Sequence, residues 1–270
     1  VRERGAGTGP SIDPVTPGDA GRDPTRGIRR LSVLGFLGIV AGYVVVLIVA
    51  TLFTLDATLS TPGYTETSDV ARELVVRMAV PLVFVCVVIT ALRWWRPVLV
   101  DHLPVRRWVW IVPAAIVLTV IAATNYPGLV AKPAPFVALL LLGSLIVGLA
   151  EELLFRGVGV TAFRVNGHGE GAVALWTTVI FSLAHAASLL GGPLQVLSTL
   201  GAGYLYYLVR RVTGTLLAAA LVHGLWDFGV LSAGIVEDEV YGAVPLFLVV
   251  EVALLLLLLA LHRRIEPARA

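Results

Sequence analysis

Residues 136–163 read FVALLLLGSLIVGLAEELLFRGVGVTAF. An apolar run longer than the roughly 17–25 residues of a membrane-crossing helix is interrupted by Glu151, Glu152 and Arg156. Its excess length predicts a helix that tilts, kinks or projects into water. Charged side chains at membrane depth are costly, and they survive there mostly by facing one another, a water-filled cavity or a substrate. Two later apolar runs carry interruptions of the same kind, Phe181-x-x-x-His185 and His223-x-x-x-Asp227. Together the three polar islands point to chemistry carried out within a bilayer.

The rest of the chain agrees with a membrane setting. Of 270 residues, 57% are hydrophobic and only 14% charged, against about 25% charged in soluble domains. Mean hydropathy is +0.89. The net charge of +2 indicates neither a nucleic acid nor a strongly acidic partner. Cys86 is the single cysteine, so an internal disulfide is excluded, and its apolar setting reads as a packed thiol. Lys132 is the only lysine beside 19 arginines, and Ala, Val, Gly and Leu abound, a composition typical of bacterial chains rich in GC codons.

Residues 1–28 are rich in Gly, Pro, Asp, Arg and Thr without apolar periodicity and read as a disordered cytoplasmic tail. The first apolar run, 31–53, is too long for the core of a cleaved signal peptide and reads as a signal-anchor. Seven more follow, at about 75–92, 108–123, 136–163, 172–190, 193–209, 213–231 and 244–261. Pro81 and Pro113 lie inside them, as membrane helices tolerate. The expectation is an all-α, polytopic membrane protein with eight transmembrane helices and both termini cytoplasmic. Residues 29–264 form a single helical domain, and 265–270 a short tail. With that orientation, 17 Arg fall in inner segments and only Arg72, Arg77 and Lys132 in outer ones, following the positive-inside rule. Asp56, Glu66, Asp69 and Glu237, Asp238 and Glu239 fall outside. Trp94, Trp95, Trp108 and Trp110 read as an aromatic belt. The expected location is the plasma membrane of a bacterial cell, in contact with lipid.

Helix geometry groups the islands. Counted from the inner helix ends, Glu151, His185 and His223 come to similar depths at the rise of about 1.5 Å per residue. Glu152 and Arg156 lie four apart and can pair on one face. Glu151 is turned about 100° away, free to meet a cavity. His223 and Asp227 share a face, where the carboxylate can orient the imidazole or bind a ligand. Phe181 can wall the site one turn before His185. A partly buried Glu can act as general base on a water, with a His sharing the proton. A second His can donate to a developing oxyanion. With no Gly-x-Ser-x-Gly elbow and no base beside Cys86, an activated water is the expected nucleophile.

The three motifs in this order resemble the CPBP family, the CAAX-prenyl-protease-like and bacteriocin-processing (Abi) intramembrane proteases. Gly201-x-Gly203-Tyr204-Leu205-Tyr206 and Arg211-x-Thr213-Gly214-Thr215-Leu216 resemble the family's stretch between its second and third motifs. The resemblance covers residues 136–231. It implies that Glu151 activates water with help from His185, that Glu152 and Arg156 hold helix geometry, and that His223 and residue 227 stabilise the oxyanion. Where the prenyl-protease branch has Asn, this chain has Asp227, which cannot donate a hydrogen bond when ionised. Either it is protonated, or it orients His223, or it binds a metal. The catalytic set is therefore Glu151, Glu152, Arg156, His185, His223 and Asp227, acting on a peptide or membrane-protein substrate as an intramembrane endopeptidase.

Other readings stand beside this one. Glu151, Glu152 and Arg156 could be a purely structural ion-pair cluster, and lone histidines often bridge membrane helices. No cofactor is required as first choice. Zinc is the alternative, held by Glu151, His185, His223 and Asp227, although the His-Glu-x-x-His signature is missing. A non-catalytic peptide-binding or bacteriocin-immunity protein would use the same cavity without turnover. A proton-coupled carrier would use the same groups as a relay, but no duplicated halves are visible. Glu251 stands without an obvious partner. His102, His168 and His262 read as surface groups, Gly201 and Gly203 as helix-packing positions, and 254–259 as lipid-facing.

Overall fold

The computed structural model describes residues 29–54, 64–103, 105–186, 193–235 and 243–266. Among the described residues eight longer helices follow one another: α1 (Val33–Thr54), α2 (Thr67–Leu92), α3 (Ile111–Ala123), α4 (Ala134–Val165), α5 (Glu170–Ala186), α6 (Pro193–Thr213), α7 (Leu216–Ser232) and α8 (Ala243–Ala260). Among the described residues there is no strand, only one antiparallel bridge between Val100 and Thr215. Three of the helices, α1, α2 and α4, are long and apolar enough to cross a membrane. Shorter apolar helices cover Arg107–Ala123, Leu216–Ser232 and Pro245–Ala260. Large apolar side chains such as Leu34, Phe53, Val83, Val87, Leu118 and Leu259 project outward. A helix apolar on all sides suits lipid rather than water.

Between membrane helices there is no lipid-excluding hydrophobic drive, so close approach of small residues does much of the packing. The pair α4 and α7 follows this rule. A Cβ added at Gly148 would fall 2.5 Å from the Ala220 carbonyl oxygen and 2.6 Å from the Gly224 nitrogen. One added at Gly224 would meet Leu145 Cα at 2.8 Å. The two backbones touch, which brings the Glu151–Glu152 turn against His223. Gly148→Leu is expected to force α4 and α7 apart. Stability in detergent, read from thermal unfolding, should fall by about 1–3 kcal/mol.

Residue by residue, α4 runs unbroken from Ala134 to Val165 and passes into a π-helical stretch, Leu153–Gly159, directly after Glu152. Such stretches in α-helices often mark functional positions. The turn into α7 is set by Gly214, whose φ of +74° favours glycine. Thr215 then caps α7 by accepting from the Leu217 N–H at 3.3 Å.

At one end of the bundle, buried ions tie α4, α5 and α6 to the segment before α3. Arg164 binds Asp101 Oδ2 at 2.9 Å and Glu170 Oε1 at 2.8 Å. Arg211 reaches Glu170 Oε2 at 2.7 Å, and Arg210 reaches Asp101 Oδ2 at 3.3 Å. These arginines read in the sequence as loop charges. Arg210 and Arg211 are instead buried at the end of α6. Arg156 is also buried and belongs to the site rather than to any inner loop.

Three further expectations are corrected. Trp94 is no belt residue: it is buried, and its indole N–H donates to the Arg29 carbonyl at 3.0 Å. Leu254 and Leu258 are buried while Leu256 and Leu259 face outward, because α8 turns one stripe inward at helical spacing. Ile265 is no free tail: it is buried, and its carbonyl accepts from the Arg106 N–H at 2.9 Å. The expected tail 1–28, Asp56, and Glu237, Asp238 and Glu239 lie outside the described residues, as do residues 187–190 at the end of the fifth expected span.

Candidate active site

The six polar residues of the three islands come from α4, α5 and α7 and meet at one place. Glu151 Oε2 lies 3.7 Å from His185 Nε2 and 3.8 Å from His223 Nε2. His223 Nε2 is 3.5 Å from Asp227 Oδ2. These separations suit charge interaction but are too long for hydrogen bonds, and polar groups so spaced commonly share a water. Glu151 Oε2 is buried and has no hydrogen-bond partner among the described residues.

The far nitrogens define the tautomers. His185 Nδ1 is 2.9 Å from the Phe181 carbonyl oxygen, one helical turn back. A carbonyl only accepts, so Nδ1 carries the hydrogen and the neutral ring keeps its lone pair on Nε2, toward Glu151. His223 Nδ1 is 3.0 Å from Glu152 Oε1 and donates to it. Both imidazoles therefore turn Nε2 toward Glu151.

Glu152 is the hinge of this arrangement. The same Oε1 that accepts from His223 pairs with Arg156 Nη1 at 3.0 Å. Glu152 and Arg156 are both fully buried. The guanidinium lies 4.0 Å from the centre of the Phe181 ring and 5.8 Å from that of Tyr206, a cation–π setting. Room for it comes from Gly203, where an added Cβ would sit 2.8 Å from Arg156 Nη2. The packing role expected of Gly203 thus serves this arginine. Gly201 instead faces the Glu251 carboxylate, the neighbour that sequence reasoning could not supply.

Aromatic rings fix the histidines. Tyr206 stacks on His223 at 4.4 Å and 17°, and Phe181 meets His185 edge-on at 4.6 Å. The Tyr206 stack was not foreseen, although the residue stands in a stretch already singled out. His185 and Asp227 keep side-chain exposures of 18% and 25%, so the cluster opens on their side and is sealed at Glu152 and Arg156. Among the described residues no group of three or more His, Cys, Asp or Glu is disposed to hold a metal ion. The donor types are those of a zinc site, but their placement is not that of a formed one.

Residues 133–229 match the Rce1-like family model, the type II CAAX prenyl endopeptidases. All six clustered residues lie inside the matched segment. The match supports a membrane protease kind of function, in keeping with the apolar helices. No curated protein and no solved structure matches the chain.

Proposed function

We propose that the protein is an intramembrane endopeptidase that hydrolyses a peptide bond with a water activated by Glu151. The observation that carries the reading is the meeting of Glu151 Oε2 with Nε2 of His185 and His223, at 3.7 and 3.8 Å. The water attacks the scissile carbonyl carbon and gives its proton to Glu151, with the His185 lone pair beside it. His223, protonated on both nitrogens, keeps Nδ1–H on Glu152 and turns Nε2–H to the oxyanion. When the C–N bond breaks, Glu151 returns the proton to the leaving amine. Asp227, on the open side, accepts from a backbone N–H of the incoming chain. Arg156 balances the charge of Glu152.

We assign the enzyme to a bilayer crossed eight times, both ends cytoplasmic, and its substrate to peptides or proteins reached from the membrane or the cytoplasm. The test is turnover of quenched peptides, farnesylated and unmodified, by the purified full chain in lipid vesicles. Turnover by the wild type that disappears in both Glu151→Ala and His223→Ala supports the enzyme. Equal signals from all three proteins remove it, and tight capture without cleavage turns the reading to a binding module. Chelator titration in the same assay, with zinc add-back, decides for or against a required metal.

A further inference from the structure

Tyr43 stands in the middle of α1, outside the Rce1-like segment, and in the sequence it is one aromatic residue among many apolar ones. The structure buries it to 2% exposure. Its hydroxyl has no hydrogen-bond partner among the described residues. Buried polar groups in native proteins are paired, with protein or with ordered water, and each orphan calls for a reason.

The surroundings supply one. The Tyr43 ring meets Phe155 edge-on, centres 6.4 Å apart. Phe155 lies one turn after Glu151 on α4 and packs against Phe181 at 5.1 Å, and Phe181 packs against His185 at 4.6 Å. This chain of rings sets Tyr43 on the Glu151 side of the site. A buried donor without a partner among the described residues thus packs on Phe155, one turn from Glu151, whose Oε2 is a buried acceptor without one. A buried donor and a buried acceptor left over in one site are satisfied together by a water between them.

We propose that Tyr43 is a positioning residue for the attacking water: its O–H donates to the water oxygen, and that water donates to Glu151 Oε2. This rests on the peptidase reading above. With one lone pair engaged by Tyr43 and one hydrogen by Glu151, the other lone pair of the water is aimed at the carbonyl carbon. The first helix then contributes to catalysis instead of only anchoring the bundle.

Tyr43→Phe keeps the ring and its contact with Phe155 and deletes only the hydroxyl. The expected result is a kcat lowered roughly 3–10-fold, the scale of a hydrogen bond between neutral groups, with KM within about twofold of wild type and an unchanged melting temperature. A merely structural tyrosine would not split kcat from KM in this way. Wild-type kcat in Tyr43→Phe, or a loss of activity that tracks a lowered melting temperature, overturns the proposal. Glu151→Gln runs beside it as a control. If Glu151→Gln is inactive while Tyr43→Phe is wild-type, only the role of Tyr43 fails; if Glu151→Gln retains full turnover, the peptidase reading fails with it.

Discussion

Glu151→Gln is expected to lower kcat on a cleaved peptide by about 10²–10⁴-fold, the usual share of a general base, and to leave the fold as stable as before or more so. Glutamine fills the same space between His185 and His223 but cannot take a proton from water. The stability half follows from the same geometry. Glu151 is buried, and a buried carboxylate pays a desolvation cost that a neutral amide largely avoids. An amide relieves that cost by donating toward the Nε2 lone pair of His185, 3.7 Å away. Lost turnover together with a maintained or raised melting temperature is the signature of a residue kept for chemistry at the expense of stability. A variant that loses both activity and melting temperature would instead make Glu151 a structural ion-pair partner. Kinetics and thermal unfolding on one preparation separate the two.

What could be read from the sequence follows from cost. Glu151, Glu152, Arg156, His185, His223 and Asp227 stand out because ionisable groups are rare at membrane depth. Their spacing within each helix is visible in a string of letters, and so are the helices, since apolar runs of this length leave little choice of secondary structure. What joins them across helices is not written in any local pattern. That Glu152 holds both Arg156 and His223 depends on how closely α4 approaches α7, and this rests on Gly148 and Gly224, two glycines among 27. Tyr206 and Tyr43 were missed because an aromatic residue in an apolar helix looks like packing until its hydroxyl or its ring neighbour is seen. The π stretch after Glu152 leaves no mark at all, since the same residues would make an ordinary α-turn. Orientation was read from arginine counts, which treat Arg156, Arg210 and Arg211 as loop charges, whereas burial makes them partners of Glu152, Asp101 and Glu170.

Glu152→Ala is expected to be the most damaging single change to the fold and nearly as damaging to turnover, and the two effects can be taken apart. Arg156 is fully buried, and the carboxylate it pairs with, at 3.0 Å, is that of Glu152. Removing one partner of a buried pair strands the other charge at a cost of about 3–5 kcal/mol, and the facing rings of Phe181 and Tyr206 recover only part of it. The same substitution frees His223 Nδ1, whose hydrogen is held at 3.0 Å by that carboxylate. An imidazole without its Nδ1 acceptor can flip or change tautomer, and a loss on the order of 10⁴-fold in kcat accompanies such a change in serine hydrolases. The double variant Glu152→Ala/Arg156→Met distinguishes the roles. Replacing the ion pair with apolar groups removes the stranded charge, so the melting temperature should return toward wild type. Turnover should not return, because His223 still lacks its acceptor. Recovery of both would mean that Glu152 acts only through Arg156 and the geometry of α4. Recovery of stability alone would make it the carboxylate that holds the oxyanion-binding histidine in register.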